Sequence, residues 1–201
     1  MAATAELVKE LRARTGAGMM DCKGALEEAG GNLDKAVELL RKKGLASAAK
    51  RAGRAASQGL VDAYIHGGGT LGVLIEVNCE TDFVARTEEF RALVRNLAMQ
   101  VAATDPQYVS EAEIPAEVLH REREIARAQL QQTMRDRPPA ALEKAVEGKL
   151  RKWVETVVLL EQPYIRDEKK KVSEIVQETI ARTGENIVVR RFARFRLGEA
   201  T

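Results

Sequence analysis

The sequence predicts an α+β protein: a three-helix N-terminal domain, then a three-stranded antiparallel sheet flanked by helices. Three observations predict this class. Apolar residues recur at helical spacing between capping and glycine stop signals in residues 4–43. Two runs of β-forming residues flank the triple glycine at 67–69, as in a hairpin. A third such run at 186–197 needs the hairpin as its pairing partner.

The composition is that of a folded protein. Of the 201 residues, 45% are apolar and 31% are charged, which excludes the disordered and membrane-embedded classes. The net charge of +2 argues against a protein whose main task is to coat nucleic acid. We find no signal pattern at the N-terminus and no apolar run near the roughly 20 residues of a membrane helix. We therefore expect a cytosolic protein without membrane contact.

Residues 1–44 form the predicted small domain. Thr4 is the expected N-cap of its first helix, and Asn32 that of its third. The second helix is expected at about 19–29, between two pairs of glycines. Three helices this short bury little surface, so this domain is a satellite of a larger core.

Residues 45–58 are predicted to be a basic, partly helical linker. The stretch 41–54 carries six positive charges and no acid: Arg41, Lys42, Lys43, Lys50, Arg51 and Arg54. One interpretation is a solvated linker. The alternative is an arm that binds RNA or the ribosome. The absence of interleaved aromatic residues, which would stack on bases, favours the linker.

Residues 59–201 are predicted to be the α+β core. The hairpin strands are expected at 60–66 and 70–79, and the last strand at 186–197. A long helix is expected at about 84–103 and another at about 172–183. Residues 115–137 and 139–159 predict a helical hairpin, broken at Pro138-Pro139 and inserted in the core. Its first arm is densely charged, so we expect it to protrude.

No catalytic or metal-binding set can be found in the sequence. It contains no nucleophile elbow, zincin motif or P-loop. Two separate cysteines, Cys22 and Cys79, and two histidines lack the spacing of a zinc site and are read as buried thiols and isolated side chains. The chain is therefore interpreted as a binding protein that is not an enzyme and has no cofactor or metal.

Two segments break the pattern of apolar residues inside and polar residues outside. Met19 falls on the core stripe of the second helix, but Met20 falls among polar neighbours, which suits an adaptable contact surface. At 78–85 a strand turns into a helix, with Thr81 or Asp82 as the cap. Periodicity alone places Phe83 inside, on the same stripe as Phe90.

These segments carry a resemblance to a known family. Residues 11–23 closely resemble the N-terminal signature of the elongation factor Ts family. The run Glu76-Val77-Asn78-Cys79-Glu80-Thr81-Asp82-Phe83-Val84-Ala85 resembles its second signature. Segments at 147–150, 162–164 and 184–191 are also similar, so the resemblance spans about residues 5–197.

The resemblance implies a fold, a partner and site residues. It implies a UBA-like N-terminal domain and a guanine-nucleotide exchange factor for elongation factor Tu in translation elongation. Contacts with the Tu G domain are then expected at Arg12, Thr15, Gly16, Gly18, Met19 and Met20. Displacement of Mg²⁺ from Tu is expected of Thr81, Asp82, Phe83 and Val84. This role reverses the interpretation of Phe83, which must then project at the first turn of its helix.

A homodimer is expected for two reasons. Longer family members carry two related core halves, whereas this chain has room for one and resembles the short members. A sheet covered on one side also leaves an apolar face open. The predicted interface is formed by Val73, Ile75, Val77, Ile187, Val189 and Phe195. A coiled coil through the helical hairpin at 115–159 is the alternative.

Overall fold

The structure is a computed structural model and describes residues 4–133 and 137–199. Within those ranges it has eight α-helices and five strands. In chain order the elements are α1 (Ala5–Thr15), α2 (Met19–Glu28), α3 (Leu33–Arg51), β1 (Gln58–His66), β2 (Leu71–Cys79), α4 (Asp82–Ala85), α5 (Glu88–Thr104), α6 (Ala116–Thr133), α7 (Pro139–Val157), β3 (Pro163–Tyr164), β4 (Asp167–Lys171), α8 (Val172–Thr183) and β5 (Ile187–Arg196). The predicted α+β class is confirmed.

The strands form two sheets. A three-stranded antiparallel sheet has the order β1-β2-β5, and β3 pairs with β4 in a two-stranded sheet. The glycine run predicted as the hairpin turn joins β1 to β2, and all three glycines have positive φ, which suits glycine best. The predicted hairpin and last strand are therefore confirmed, whereas the small β3-β4 sheet was not predicted.

The chain divides into two compact units. The first comprises Met1–Asp62, Glu76–Arg95 and Glu174–Arg190, and the second comprises Ala63–Ile75, Asn96–Ser173 and Arg191–Thr201. The domain boundaries expected from the sequence, at residues 44 and 58, divide the chain differently and stay a prediction. No helix in the described ranges has the length and apolar character needed to cross a membrane.

In the first unit, α1, α2 and α3 pack around one small apolar cluster. Its buried members are Val8, Leu11, Cys22, Ala25, Leu26 and Ala36. The predicted caps are confirmed: the Thr4 hydroxyl accepts from the Leu7 N–H, and the side-chain oxygen of Asn32 accepts from the Lys35 N–H at 2.9 Å.

Helix α3 continues through the basic stretch to Arg51. Within it, Arg41 pairs with Glu174, and Lys43 pairs with Glu28 at 2.7 Å.

The helix predicted at 84–103 is two helices, α4 and α5. Thr87 stands between them: its hydroxyl donates to the Val84 carbonyl at 2.7 Å and accepts from the Phe90 N–H at 3.3 Å. This hydroxyl therefore caps the N-terminus of α5 while it binds the last turn of α4. The single-helix prediction was wrong because periodicity does not register a threonine that caps rather than continues a helix.

The apolar face expected to be open for a second subunit is buried in the single chain. Val73, Ile75, Val77, Ile187 and Val189 are all at most 6% exposed, and of the predicted interface set only Phe195 is exposed. The expectation of an open face on this side is therefore wrong. The outward apolar residues are instead at the alternating positions, such as Leu74 in β2 and Val188 in β5. Both faces of the strands carry apolar residues, so alternation alone could not say which one the helices cover.

In the second unit, α6 and α7 form the predicted helical hairpin. Pro139 opens α7, and residues 134–136 of the predicted first arm lie outside the described part of the chain. Ion pairs connect the two arms: Arg127 with Glu143 at 3.0 Å, and Arg123 with Glu147. Buried Gln100 donates to the Gln162 side chain and to the Pro163 carbonyl, both at 3.1 Å, which fixes the approach to β3.

Candidate partner-binding site

The loop between α1 and α2 is held by glycine geometry and one arginine. Gly16 ends α1 in the left-handed conformation, with φ of 68°, and its N–H donates to the Arg12 carbonyl at 2.8 Å. A Cβ atom at Gly16 would lie 2.7 Å from Arg182 Cδ, so a larger residue would not fit without a shift. The Thr15 hydroxyl donates to the Leu11 carbonyl at 2.7 Å. Helix α2 therefore begins at a fixed place.

Helix α2 presents two methionines at its start. Met20 is 75% exposed, as its polar neighbours predicted, and Met19 is 50% exposed. The assignment of Met19 to the core stripe was wrong, because the buried stripe begins one turn later, with Cys22. At the first position of the helix, the side chain projects past the end of the packed cluster. Two flexible thioethers are thus displayed together, which suits contact with another protein.

The second segment is the junction between β2 and α4. Thr81 is the N-cap of α4, and its hydroxyl accepts from the Val84 N–H at 3.3 Å. One carboxylate, that of Glu185, accepts three hydrogen bonds here: from the Glu80 N–H at 3.1 Å, the Thr81 N–H at 3.0 Å and the Thr81 hydroxyl at 2.6 Å. The junction is consequently tied to the turn that follows α8.

Phe83 projects from this junction and is 78% exposed, whereas Phe90 is fully buried. The periodicity-based expectation that Phe83 packs inward is therefore wrong, and its projection agrees with what the family resemblance implied. Beside it, exposed Asp82 accepts from Arg86 at 2.8 Å, and buried Val84 anchors the turn. Leaving a phenyl group in water forgoes about 1.5–3 kcal/mol of burial, which points to use in an interface.

Cys79, the last residue of β2, is buried and forms a hydrogen bond within the junction. Its buried thiol donates to the Thr81 carbonyl at 3.1 Å. Burial raises the pKa of this thiol above its ordinary value of 9.0, and the nearby Glu185 carboxylate adds to the increase. The thiol is therefore protonated at neutral pH and acts as a hydrogen-bond donor, not as a nucleophile.

Both segments are attached to the C-terminal end of α8, in the same compact unit. Arg182 lies against Gly16 and pairs with Glu89 of α5, while Glu185 holds the β2–α4 junction. Sequence reasoning did not find Glu185, because its partner Thr81 is 104 residues away and no local pattern marks it. Its only signal was its place in one of the similar segments, Gly184–Arg191.

Exposed thioether and phenyl groups at fixed positions are what a protein-binding factor presents to its partner. Comparison with known proteins narrows this class. A family described as "Elongation factor TS" matches residues 34–199, and the chain belongs to the elongation factor Ts family.

Individual relatives are similar along nearly their whole length. Elongation factor Ts of Caldanaerobacter subterraneus subsp. tengcongensis is 58% identical over 98% of this chain and 97% of its own length. Elongation factor Ts of Moorella thermoacetica is 60% identical over 96% of this chain and 94% of its own length. That of Thermotoga petrophila is 57% identical over 96% of each chain.

Proposed function

We propose that the chain is the guanine-nucleotide exchange factor for elongation factor Tu in the cytosol during translation elongation. The observation that carries the proposal is Phe83, a 78% exposed phenyl group on a one-turn helix that is capped and clamped at its base. Membership of the elongation factor Ts family supplies the partner.

The exposed methionines form the docking contact in this proposal. Met19 and Met20 bind the G domain of Tu. Arg12 and Thr15, at the end of α1, and Gly16 and Gly18, in the turn that follows, contribute to the same contact. Gly16 and the Thr15 hydroxyl hold the turn, and the thioethers adapt to the partner surface. Binding energy collected here is available to distort the nucleotide site.

The β2–α4 junction acts on the nucleotide site. Bound GDP depends on phosphate contacts and on Mg²⁺, which bridges phosphate and protein. Phe83 is a wedge that displaces elements of Tu around the metal, Asp82 adds negative charge beside it, and Thr81 and Val84 hold the turn in place. Linkage then requires that the chain weaken GDP binding by the factor by which GDP weakens binding of the chain.

The proposed factor neither hydrolyses nor binds nucleotide itself. It accelerates GDP release without choosing the product, and the excess of GTP in the cell sets the direction. The charges of residues 41–54 do not favour the rival function, RNA binding through this stretch. Arg41 and Lys43 are paired with glutamates, and Arg54 lies 3.6 Å from Glu80, so half of the six cations have acidic partners.

We also propose a homodimer, now through the outward face of the β1–β2 hairpin. Ile65 is 64% exposed and Leu74 is 50% exposed. The Cδ1 of Ile65 lies 3.2 Å from where a Cβ of Gly72 would be, so it covers that glycine on the same face as Leu74. In a twofold dimer, Ile65 and Leu74 of one copy pack against the same face of the other copy.

The Mg²⁺ step has a direct test. Release of a fluorescent GDP analogue from Tu is followed with and without the chain, at millimolar Mg²⁺ and in excess EDTA. If the chain acts by displacing the metal, its acceleration is large in Mg²⁺ and nearly disappears in EDTA, where the metal is already gone. Equal acceleration in both conditions would contradict the metal step while leaving exchange activity intact.

A further inference from the structure

We propose that Glu185 is the positioning residue of the exchange site: its carboxylate fixes the Glu80–Thr81 turn so that Phe83 projects in one defined direction. The proposal rests on the proposed function for what Phe83 does, and on geometry for how Phe83 is held. Glu185 belongs to neither of the exposed segments and is not expected to touch the partner.

The two oxygens of the Glu185 carboxylate accept different hydrogen bonds. Oε2 accepts the N–H groups of Glu80 and Thr81, at 3.1 and 3.0 Å. Oε1 accepts the Thr81 hydroxyl at 2.6 Å. Bonds to an ionised acceptor are among the strongest that a side chain can offer a turn.

The Thr81 hydroxyl passes this constraint on to α4. A hydroxyl has one proton to donate and two lone pairs with which to accept. Its proton points to Glu185, which leaves a lone pair for the Val84 N–H at 3.3 Å. Glu185 therefore sets the orientation of the cap on which the first turn of α4 depends.

Helix α4 depends strongly on that cap. It has four residues, far fewer than a helix needs to persist alone. Val84 and Ala85 are its buried residues, and Phe83 leaves most of its side chain in solvent. Without the cap, Phe83 would stand on a loop with several conformations, and ordering that loop would cost binding energy at each encounter.

Glu185 is itself fixed by its neighbours. Gly184 ends α8 with φ of 76°, and its N–H donates to the Ile180 carbonyl at 3.0 Å. Next along the chain, buried Asn186 donates its N–H to Glu80 Oε1 at 2.6 Å and its side-chain amide to the Arg54 carbonyl at 2.8 Å. The turn and the junction thus hold each other through reciprocal carboxylate-to-backbone bonds.

The first test needs no partner protein. Amide hydrogen exchange at Glu80, Thr81 and Val84 is compared in the wild type, Glu185→Ala, Glu185→Gln and the exposed control Glu168→Ala. We expect roughly tenfold faster exchange in Glu185→Ala, because three bonds to a charged group are lost. Glu185→Gln keeps the acceptor for both N–H groups and stays within about threefold of wild type, and the control is unchanged. Unchanged protection in Glu185→Ala would overturn the proposal.

The second test separates positioning from general stability. GDP release from Tu is measured at saturating concentrations of four proteins: wild type, Glu185→Ala, Phe83→Ala and the double variant. We expect Glu185→Ala to slow release roughly tenfold in the wild type but less than about twofold in the Phe83→Ala background, because the residues act as a unit. The same loss in both backgrounds would overturn the proposal, since Glu185 would then act independently of Phe83.

The two tests also distinguish the proposals from each other. If the wild type does not accelerate release, the proposed function fails, and hydrogen exchange alone decides the role of Glu185. If Glu185→Ala does not fold, Thr81→Val takes its place in both tests. It removes the hydroxyl relay, keeps the shape of the side chain and should expose the Val84 amide and slow release in the same way; wild-type behaviour of this variant would overturn the relay.

Discussion

At the scale of single residues, the helix caps could be predicted from the sequence, whereas the contacts of Glu185 could not. Thr4 and Asn32 cap helices where the sequence placed them, because capping is a local property of one side chain and the next turn. Glu185 acts on a turn 104 residues away, and only the fold brings the two together. Phe83 shows the limit of periodicity: its spacing from Phe90 is that of a core residue, yet the chain places it at a helix start, outside the core.

Phe83→Ala should separate function from stability. Because Phe83 is 78% exposed, we expect its replacement to change the free energy of unfolding by less than about 0.5 kcal/mol while GDP release from Tu slows by at least roughly tenfold. Phe90→Ala is the control and should cost about 3–5 kcal/mol. Urea denaturation and a release assay measure the two effects. A large loss of stability in Phe83→Ala would restore the core interpretation.

Met20→Ala should weaken binding to Tu without unfolding the small domain. The side chain is 75% exposed, so stability should change by less than about 0.5 kcal/mol. Met19 is 50% exposed, so Met19→Ala should lower the free energy of unfolding less than a core change does. Leu26→Ala is such a core change and should cost about 2–5 kcal/mol. Calorimetric titration with Tu and thermal melts test this prediction. If both methionine variants were as unstable as Leu26→Ala, the conclusion that both side chains are exposed at the start of α2 would be contradicted.

Alkaline pH should weaken the fold through Cys79. Burial raises the pKa of this thiol, so the folded state holds the proton more tightly than the unfolded state. The resulting stability is complete below the ordinary value of 9.0 and is lost as pH rises through the folded pKa. The urea midpoint should therefore fall as the pH rises above about 9, and fall less in Cys79→Ala. The same slope in both proteins would contradict a thiol contribution.

At the scale of elements, the long and strongly patterned segments could be predicted. Helix α8 has the predicted bounds, and β5 differs by one residue at each end. The β3-β4 sheet escaped prediction because β3 has only two residues and β4 reads Asp-Glu-Lys-Lys-Lys, a run of poor β-formers. Both faces of the large sheet carry apolar residues, and tertiary packing decides which face is buried. The alternation within one strand therefore could not predict it.

At the scale of the whole molecule, the corrected face makes the dimer testable. Leu74→Asp and Ile65→Asp should dissociate it without unfolding the chain, because both side chains are exposed. Val189→Asp is the contrasting variant: its side chain is buried, so a charge there should unfold the protein rather than dissociate it.

Sedimentation and circular dichroism distinguish these outcomes. A dimer that survives both exposed changes, but dissociates when residues 115–159 are altered, would place the interface on the helical hairpin instead.

The most direct measurement is stopped-flow release of a fluorescent GDP analogue from elongation factor Tu as the concentration of this chain is raised. The account predicts that release accelerates and then saturates, because a complex of Tu, GDP and the chain forms before GDP leaves. Calorimetry of the chain alone with GDP and GTP should show no binding. Release that stays at its spontaneous rate at every concentration of the chain would contradict the account.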